Sequence, residues 1–249
     1  MQAQRDQSGK IIVFSAPSGA GKTTIVHRLM AALPDALSFS ISACTRDRRG
    51  RAEIDGKDYH FLSVAEFQER IRHDEFVEWE EVYEGAFYGT LKSEIERIWA
   101  SGRHAILDVD VKGGLSIKQF YQDRALAIFV RPPSIEALAQ RLTARATDST
   151  SSISSRVYKA TFELAFEDKF DVAVVNDDLE MAVAQAEQLV RDFIGLPLSK
   201  VQSATGPDQE PAPEVTPGVA PRIEPQPEAT VPVTSGAPAE PAVSTAAAS

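Results

Sequence analysis

The chain has 249 residues, a net charge of −10 at pH 7 and one cysteine. So acidic a chain lacks the basic face that a nucleic-acid backbone demands, which argues against nucleic acid as a partner, whereas a few focused arginines still suffice for a mononucleotide. The lone Cys44 excludes an internal disulfide and a cysteine metal cluster, and no apolar run approaches the ~20 residues of a membrane span.

Residues 1–8 have no apolar core and read as a flexible N-terminus rather than a secretory signal, which points to the cytoplasm. Ile11–Phe14 is a continuous apolar run, expected as a buried strand. It runs directly into Ala16-Pro17-Ser18-Gly19-Ala20-Gly21-Lys22-Thr23-Thr24. Ile25, Val26, Leu29, Met30 and Leu33 then share one face of a helix predicted over 22–33. Strand, glycine-rich turn, lysine, hydroxyl and helix, in that order, are the context of a P-loop, although Ala16 stands where the pattern has glycine. Glycines let consecutive N–H groups turn inward to phosphate oxygens, and the helix start adds unpaired donors. Lys22 would bring charge to the β- and γ-phosphates and Thr23 a hydroxyl to Mg²⁺.

Arg46, Arg48, Arg49 and Arg51 crowd into six positions, with Tyr59 close behind. A planar guanidinium suits a terminal phosphate, so a cluster separate from the P-loop points to a second phosphate, that of an acceptor. A solvated basic loop is the plainer alternative. Ser63-Val64-Ala65-Glu66 is a capping-box signature for a helix over 64–72. In Phe76-Val77-Glu78-Trp79-Glu80-Glu81-Val82, one carboxylate facing a purine could accept two parallel N–H bonds, which guanine offers and adenine does not. Taken alone, the same stretch reads as an exposed acidic rim. A helix over 92–101 should stop at Gly102. The strand 105–109 carries Asp108 at its end, where a Walker-B carboxylate meets the P-loop metal, and Asp110 follows.

Ala125–Val130 and Val172–Val175 complete the buried strands. The helix 134–145 carries Arg141 and Arg145 four apart, and Arg156 follows a Thr/Ser-rich turn at 147–155. Arginines on a flap over a γ-phosphate would neutralise developing charge, although without the P-loop a solvated charged helix face would be the better reading. A last helix over 179–194 should end at Gly195. Strand and helix alternate, which predicts an α/β fold with a parallel sheet core and the ligands at the carboxyl ends of its strands, near the P-loop, Asp108, Asp110 and Asn176. Residues 196–249 hold eleven of the fifteen prolines and no aromatic residue, so they are expected to be a disordered tail.

Taken in order, these landmarks resemble the guanylate kinase family. They are Ser-Ala-Pro-Ser-Gly-Ala-Gly-Lys-Thr-Thr (15–24), Ser-Ala-Cys-Thr-Arg (42–46), Asp-Gly-Lys-Asp-Tyr-His-Phe (55–61), Phe-Val-Glu-Trp (76–79), Tyr-Gly-Thr (88–90), Leu-Asp-Val-Asp-Val-Lys-Gly (107–113) and Val-Asn-Asp-Asp (175–178). The resemblance covers about 9–195. It implies a core (9–39, 94–141 and 171–195), a GMP-binding insert (40–93) and a helical lid (142–170). It also implies transfer of the γ-phosphoryl group of ATP to GMP, and to dGMP as well, with Mg²⁺. Arg46, Arg49, Tyr59 and Tyr88 would hold the GMP phosphate, and Ser42, Glu78, Thr90 and Asp110 would line the guanine pocket. Ala16 through Thr24 would carry the ATP phosphates, with Asn176 beside the adenine. Thr23 and Asp108 would serve Mg²⁺, directly or through water. Lys22, Arg46, Arg141, Arg145 and Arg156 would be catalytic. Two departures from the family pattern are Arg48, where proline is usual, and Ala146, where glycine is common. Cys44 is expected to be packed rather than reactive. The competing readings are another P-loop small-molecule kinase and a catalytically dead module that grips phosphorylated peptides. Oligomeric state stays open, a homo-oligomer included.

Overall fold

The computed structural model describes residues 9–48, 52–144 and 150–197. The elements run β1 (Ile11–Ser15), α1 (Lys22–Ala32), β2 (Leu37–Phe39), β3 (Ala43–Cys44), β4 (His60–Phe61), α2 (Val64–Arg72), β5 (Phe76–Tyr83), β6 (Ala86–Leu91), α3 (Lys92–Ala100), β7 (His104–Asp108), α4 (Val111–Tyr121), β8 (Ala125–Arg131), α5 (Ile135–Ala144), α6 (Thr150–Leu164), β9 (Val172–Val175) and α7 (Leu179–Ile194).

Five strands form a parallel sheet in the order β2-β7-β1-β8-β9. Its centre, β1, is fully buried along its length, as expected of a strand covered by helices on both faces. Alternate β1 residues feed two apolar layers. Ile12 and Phe14 pack with Ile25, Val26 and Leu29 of α1 and with Ala186 and Val190 of α7. Ile11 and Val13 pack with Ile95 and Ile98 of α3 and Ile117 of α4. The alternation follows from the two-residue period of a strand.

A second sheet, ordered β4-β3-β6-β5, lies within residues 43–91. Its small core stacks Phe67 of α2 on Phe76 and Phe87, with centroids 4.3 and 5.4 Å apart. The capping box of α2 is present: the Glu66 amide donates to Ser63 Oγ, and the Glu66 carboxylate accepts from the Ser63 amide at 2.8 Å. Glu94, in the first turn of α3, ties this sheet to the core. Burial alone would raise its carboxyl, but hydrogen bonds from Arg97, His60 and the Ile41 amide drive it down to about 2.

Sequence patterning finds β1, β7, β8, β9 and five of the helices. It does not predict α4, whose Gly113-Gly114 pair weakens helix propensity. Gly114 is there for contact, because a Cβ on it would overlap Ser15 Oγ of β1. Nor does it predict α6, which begins in a Thr/Ser-rich stretch. Its attachment is the packing of Ala160, with Ile153 and Val157, onto Leu138 and Leu142 of α5. The expected tail lies outside the described residues beyond Pro197.

Candidate active site

The turn between β1 and α1 is shaped by two left-handed glycines, Gly19 and Gly21, both at φ 92°. A side chain at either would be strained, and a Cβ on Gly21 would overlap Asn176 Nδ2. Asn176, at the carboxyl end of β9, is buried and donates from Nδ2 to Ala20 O at 2.7 Å. The loop is thus clamped from outside, which leaves its amides to face a cavity lined by residues 16–19, Lys22, Thr23, Asp108, Asp110 and, from α6, Lys159 and Glu163.

Lys22 crosses this cavity to the end of β7. Its ammonium forms an ion pair with Asp108 Oδ1 and donates to Val109 O at 2.7 Å. Thr23 Oγ1 donates to Asp108 Oδ2 at 2.9 Å. Asp108 is buried, with the Lys22 ammonium against its Oδ1 and the Thr23 hydroxyl on its Oδ2. A hydroxyl and a carboxylate side by side, with carboxylate capacity to spare, are the hard oxygen donors that suit Mg²⁺.

Two residues further on, Asp110 caps α4, accepting from Gly113 N at 2.7 Å. Facing it from the second sheet is Glu78, whose register partner on β6 is Thr90. Thr90 Oγ1 donates to Glu78 Oε1 at 2.6 Å. Burial pushes the Glu78 carboxyl up to about 7, and the neighbouring Asp110 adds to the rise. Glu80 points to the same side, where Lys112 Nζ lies 2.9 Å from it. Its carboxyl is raised, first by the hydrogen bond to Asp110 and then by burial. Along β5, Glu78 and Glu80 are partly buried while Trp79 and Glu81 are exposed. The acidic-rim reading therefore describes the alternate residues only.

At the other end of the second sheet, Arg46 grips Glu53 with both nitrogens, at 2.6 and 2.8 Å. This fork raises its pKa further. The guanidinium carbon lies 4.7 Å from the ring centroid of Tyr59, which in turn meets Tyr88 edge-on at 6.3 Å. Burial raises the Tyr59 phenol, so it stays a donor. The role of Glu53 is missed by sequence reasoning, because nothing in a lone acid seven residues downstream marks it as a partner. Arg48 stacks over Phe61 at 5.1 Å, whereas Arg49 lies outside the described residues. Ser42 directly precedes β3, and its carbonyl accepts from His60 N at 2.9 Å. Cys44 is fully buried, and burial pushes its thiol up to about 11.

Arg141 points away from Asp108 and Thr23. It donates to Asn176 O at 2.8 Å and lines a separate hollow with Gly19, Gly21, Thr24, Asn176 and Leu179. Arg156 lies on α6, and Arg145 is outside the described residues.

A parallel sheet with a P-loop at the carboxyl end of its central strand, and beside it a second sheet that carries Arg46, Tyr59 and Glu78, defines a P-loop phosphotransferase of the nucleoside monophosphate kinase class. Comparison with known proteins narrows this. Residues 8–193 match the family model described as guanylate kinase, and the chain belongs to that family. It is similar to the guanylate kinase of Porphyromonas gingivalis (51% identical over 185 residues, 74% of this chain and 98% of that protein). A guanylate kinase of Bacteroides fragilis is 49% identical over 187 residues, covering 75% of this chain and 91% of its own. The crystal structure of guanylate kinase from Anaplasma phagocytophilum aligns at a TM-score of 0.56 and 28% identity, over 74% of this chain and 85% of that one.

Proposed function

We propose that this guanylate kinase carries the γ-phosphoryl group of ATP to GMP with two grips set on one sheet edge. The observation that carries the reading is the short step from Asp108 to Asp110. Asp108 engages Lys22 and Thr23 on the donor side, and Asp110, two residues on, shares the Glu78 corner.

On the donor side, the amides of residues 18–23 would cradle the β- and γ-phosphates, and Lys22 would leave Asp108 for them. Mg²⁺, when bound, would neutralise charge on the phosphate oxygens, held by Thr23 and Asp108 directly or through water. Asn176 and Arg141, which share the neighbouring hollow, would flank the adenine. On the acceptor side, Arg46, Arg49, Tyr59 and Tyr88 would hold the GMP phosphate. Glu78, fixed by Thr90, would accept the two guanine N–H bonds, with Ser42 and Asp110 completing the pocket. Each of these contacts is assigned to the base or the phosphate and none to the 2′-hydroxyl, so dGMP would serve as an acceptor too. Arg145 and Arg156 would neutralise the transferring group.

The attacking atom is a phosphate oxygen that is already anionic, so no general base is needed. Catalysis is in-line positioning and charge neutralisation. No helix among the described residues is long and apolar enough to cross a membrane. We assign the reaction to the cytoplasm, on the strength of a lone cysteine that cannot form an internal disulfide.

A coupled assay with ATP and a panel of nucleoside monophosphates tests the function. GMP and dGMP should be phosphorylated at least about a hundredfold faster than AMP at equal low concentration, because AMP leaves Glu78 unpaired. Equal rates would reject the guanine pocket.

A further inference from the structure

The cavity proposed for the donor phosphates contains an anion of the protein's own. Glu163 of α6 lines it together with Lys22, Thr23 and residues 16–19, and its side chain is only 13% exposed. The main chain of Ser18, part of the cradle, lies beside it on the wall of the same cavity, and Lys159, one helical turn back, stands 3.8 Å away. A carboxylate has the planar, twin-oxygen anionic head that an amide cradle is shaped to receive. It also carries the charge a polyphosphate brings, so the two cannot occupy the same donors.

We propose that Glu163 is a stopper that sets the affinity for the phosphoryl donor: its carboxylate stands in the cradle beside Ser18 and must swing out before the triphosphate can seat. Lys159 would then be released toward the phosphates. The setting is consistent with a displaceable group rather than a fixed ion pair, because Lys159 stands 3.8 Å off and is itself 67% exposed. Burial raises the Glu163 carboxyl, with Asp110 adding to the rise and Lys159 and Lys22 opposing it. The stopper accounts for one feature the transfer chemistry does not use, a half-sequestered acid inside an anion site. It rests on the donor reading given above.

The test is calorimetric titration of ATP, and separately of inorganic tripolyphosphate, into the full chain and its variants. Glu163→Asp keeps the charge and withdraws the carboxylate by one methylene. Glu163→Gln keeps the reach and removes the charge. Glu163→Ala removes both and serves where the shorter acid lowers the melting temperature. The expected result is binding about three- to tenfold tighter for ATP and tripolyphosphate in all three, with GMP affinity unchanged. Unchanged or weaker binding by Glu163→Asp overturns the stopper, and tightening by Glu163→Gln alone would assign the effect to charge and overturn it too. If the unaltered chain binds neither ligand, the donor reading falls with it. If the unaltered chain binds ATP and phosphorylates GMP while Glu163→Asp binds no tighter, only the stopper falls.

Discussion

On the proposed reading, the donor cradle and the acceptor insert solve the same problem, holding a phosphate, with different materials. The cradle is main chain: its donors are amides fixed by two left-handed glycines and clamped by Asn176 from β9. The insert is side chain, with Arg46 forked to Glu53 and stacked on Tyr59, and Glu78 pinned by Thr90. A main-chain grip cannot tell one nucleotide from another, because every nucleoside triphosphate presents the same phosphates. A side-chain grip can, because a buried carboxyl left without its N–H partners costs free energy. In the proposed scheme the cradle serves the chemistry and the insert the choice of substrate.

Lys22→Ala tests that division most severely. Turnover should fall by about 10³-fold or more, while GMP affinity measured by titration stays within about twofold. Comparable losses in both would show that the two grips are not separable. Glu78→Gln should raise the KM for GMP by roughly a hundredfold and leave the KM for ATP nearly unchanged. Gly21→Ala should weaken both ATP binding and the fold, by about 1–3 kcal/mol from the forced left-handed conformation. A denaturant titration checks the stability part.

Next in size is a pH effect with an unusual sign. The Glu78 carboxyl sits at about 7 in the fold, well above its unfolded value, so the folded chain holds the extra proton between the two. Its contribution therefore favours the fold at low pH and is lost as pH rises through 7. Guanine binding needs the anion and should move the other way, strengthening over the same range. In Glu78→Gln, the melting temperature should vary less between pH 5 and 8 than in the unaltered chain. An unchanged profile would remove Glu78 as the titrating group. The smallest effect is expected at Cys44: alkylating agents at pH 8 should leave the folded protein unmodified, as mass spectrometry would read directly, because the buried thiol sits at about 11.

What could be read without coordinates follows the same division. The cradle is one contiguous string of residues whose backbone geometry is written in its glycines, so Gly19, Gly21, Lys22 and Thr23 identify themselves. The buried strands of the core declare themselves as unbroken apolar runs. The insert is harder. Strands β3 and β4 have two residues each, too few for any periodicity, and are held by register with β6 rather than by propensity. Glu78 carries no local mark of its burial, and it turns inward because β5 alternates and Asp110 arrives from 32 positions away. Arg141 shares a helix face with Arg145 in the sequence, yet its guanidinium reaches the Asn176 carbonyl, 35 positions further along the chain. Glu163 and Lys159 look like an ordinary helical ion pair until α6 is laid over the P-loop.

The step from Asp108 to Asp110 has an evolutionary corollary. With Val109 alone between them, the acid beside Lys22 and Thr23 and the acid beside Glu78 are tied by one short stretch of chain. Insertions or softening at that step would disturb both nucleotides together, so selection for a new base has to act from the opposite wall, along β5 and β6. Diversification of such an enzyme is therefore expected to accumulate in the insert, with the 108–110 bridge held fixed as the hinge-pin of both pockets.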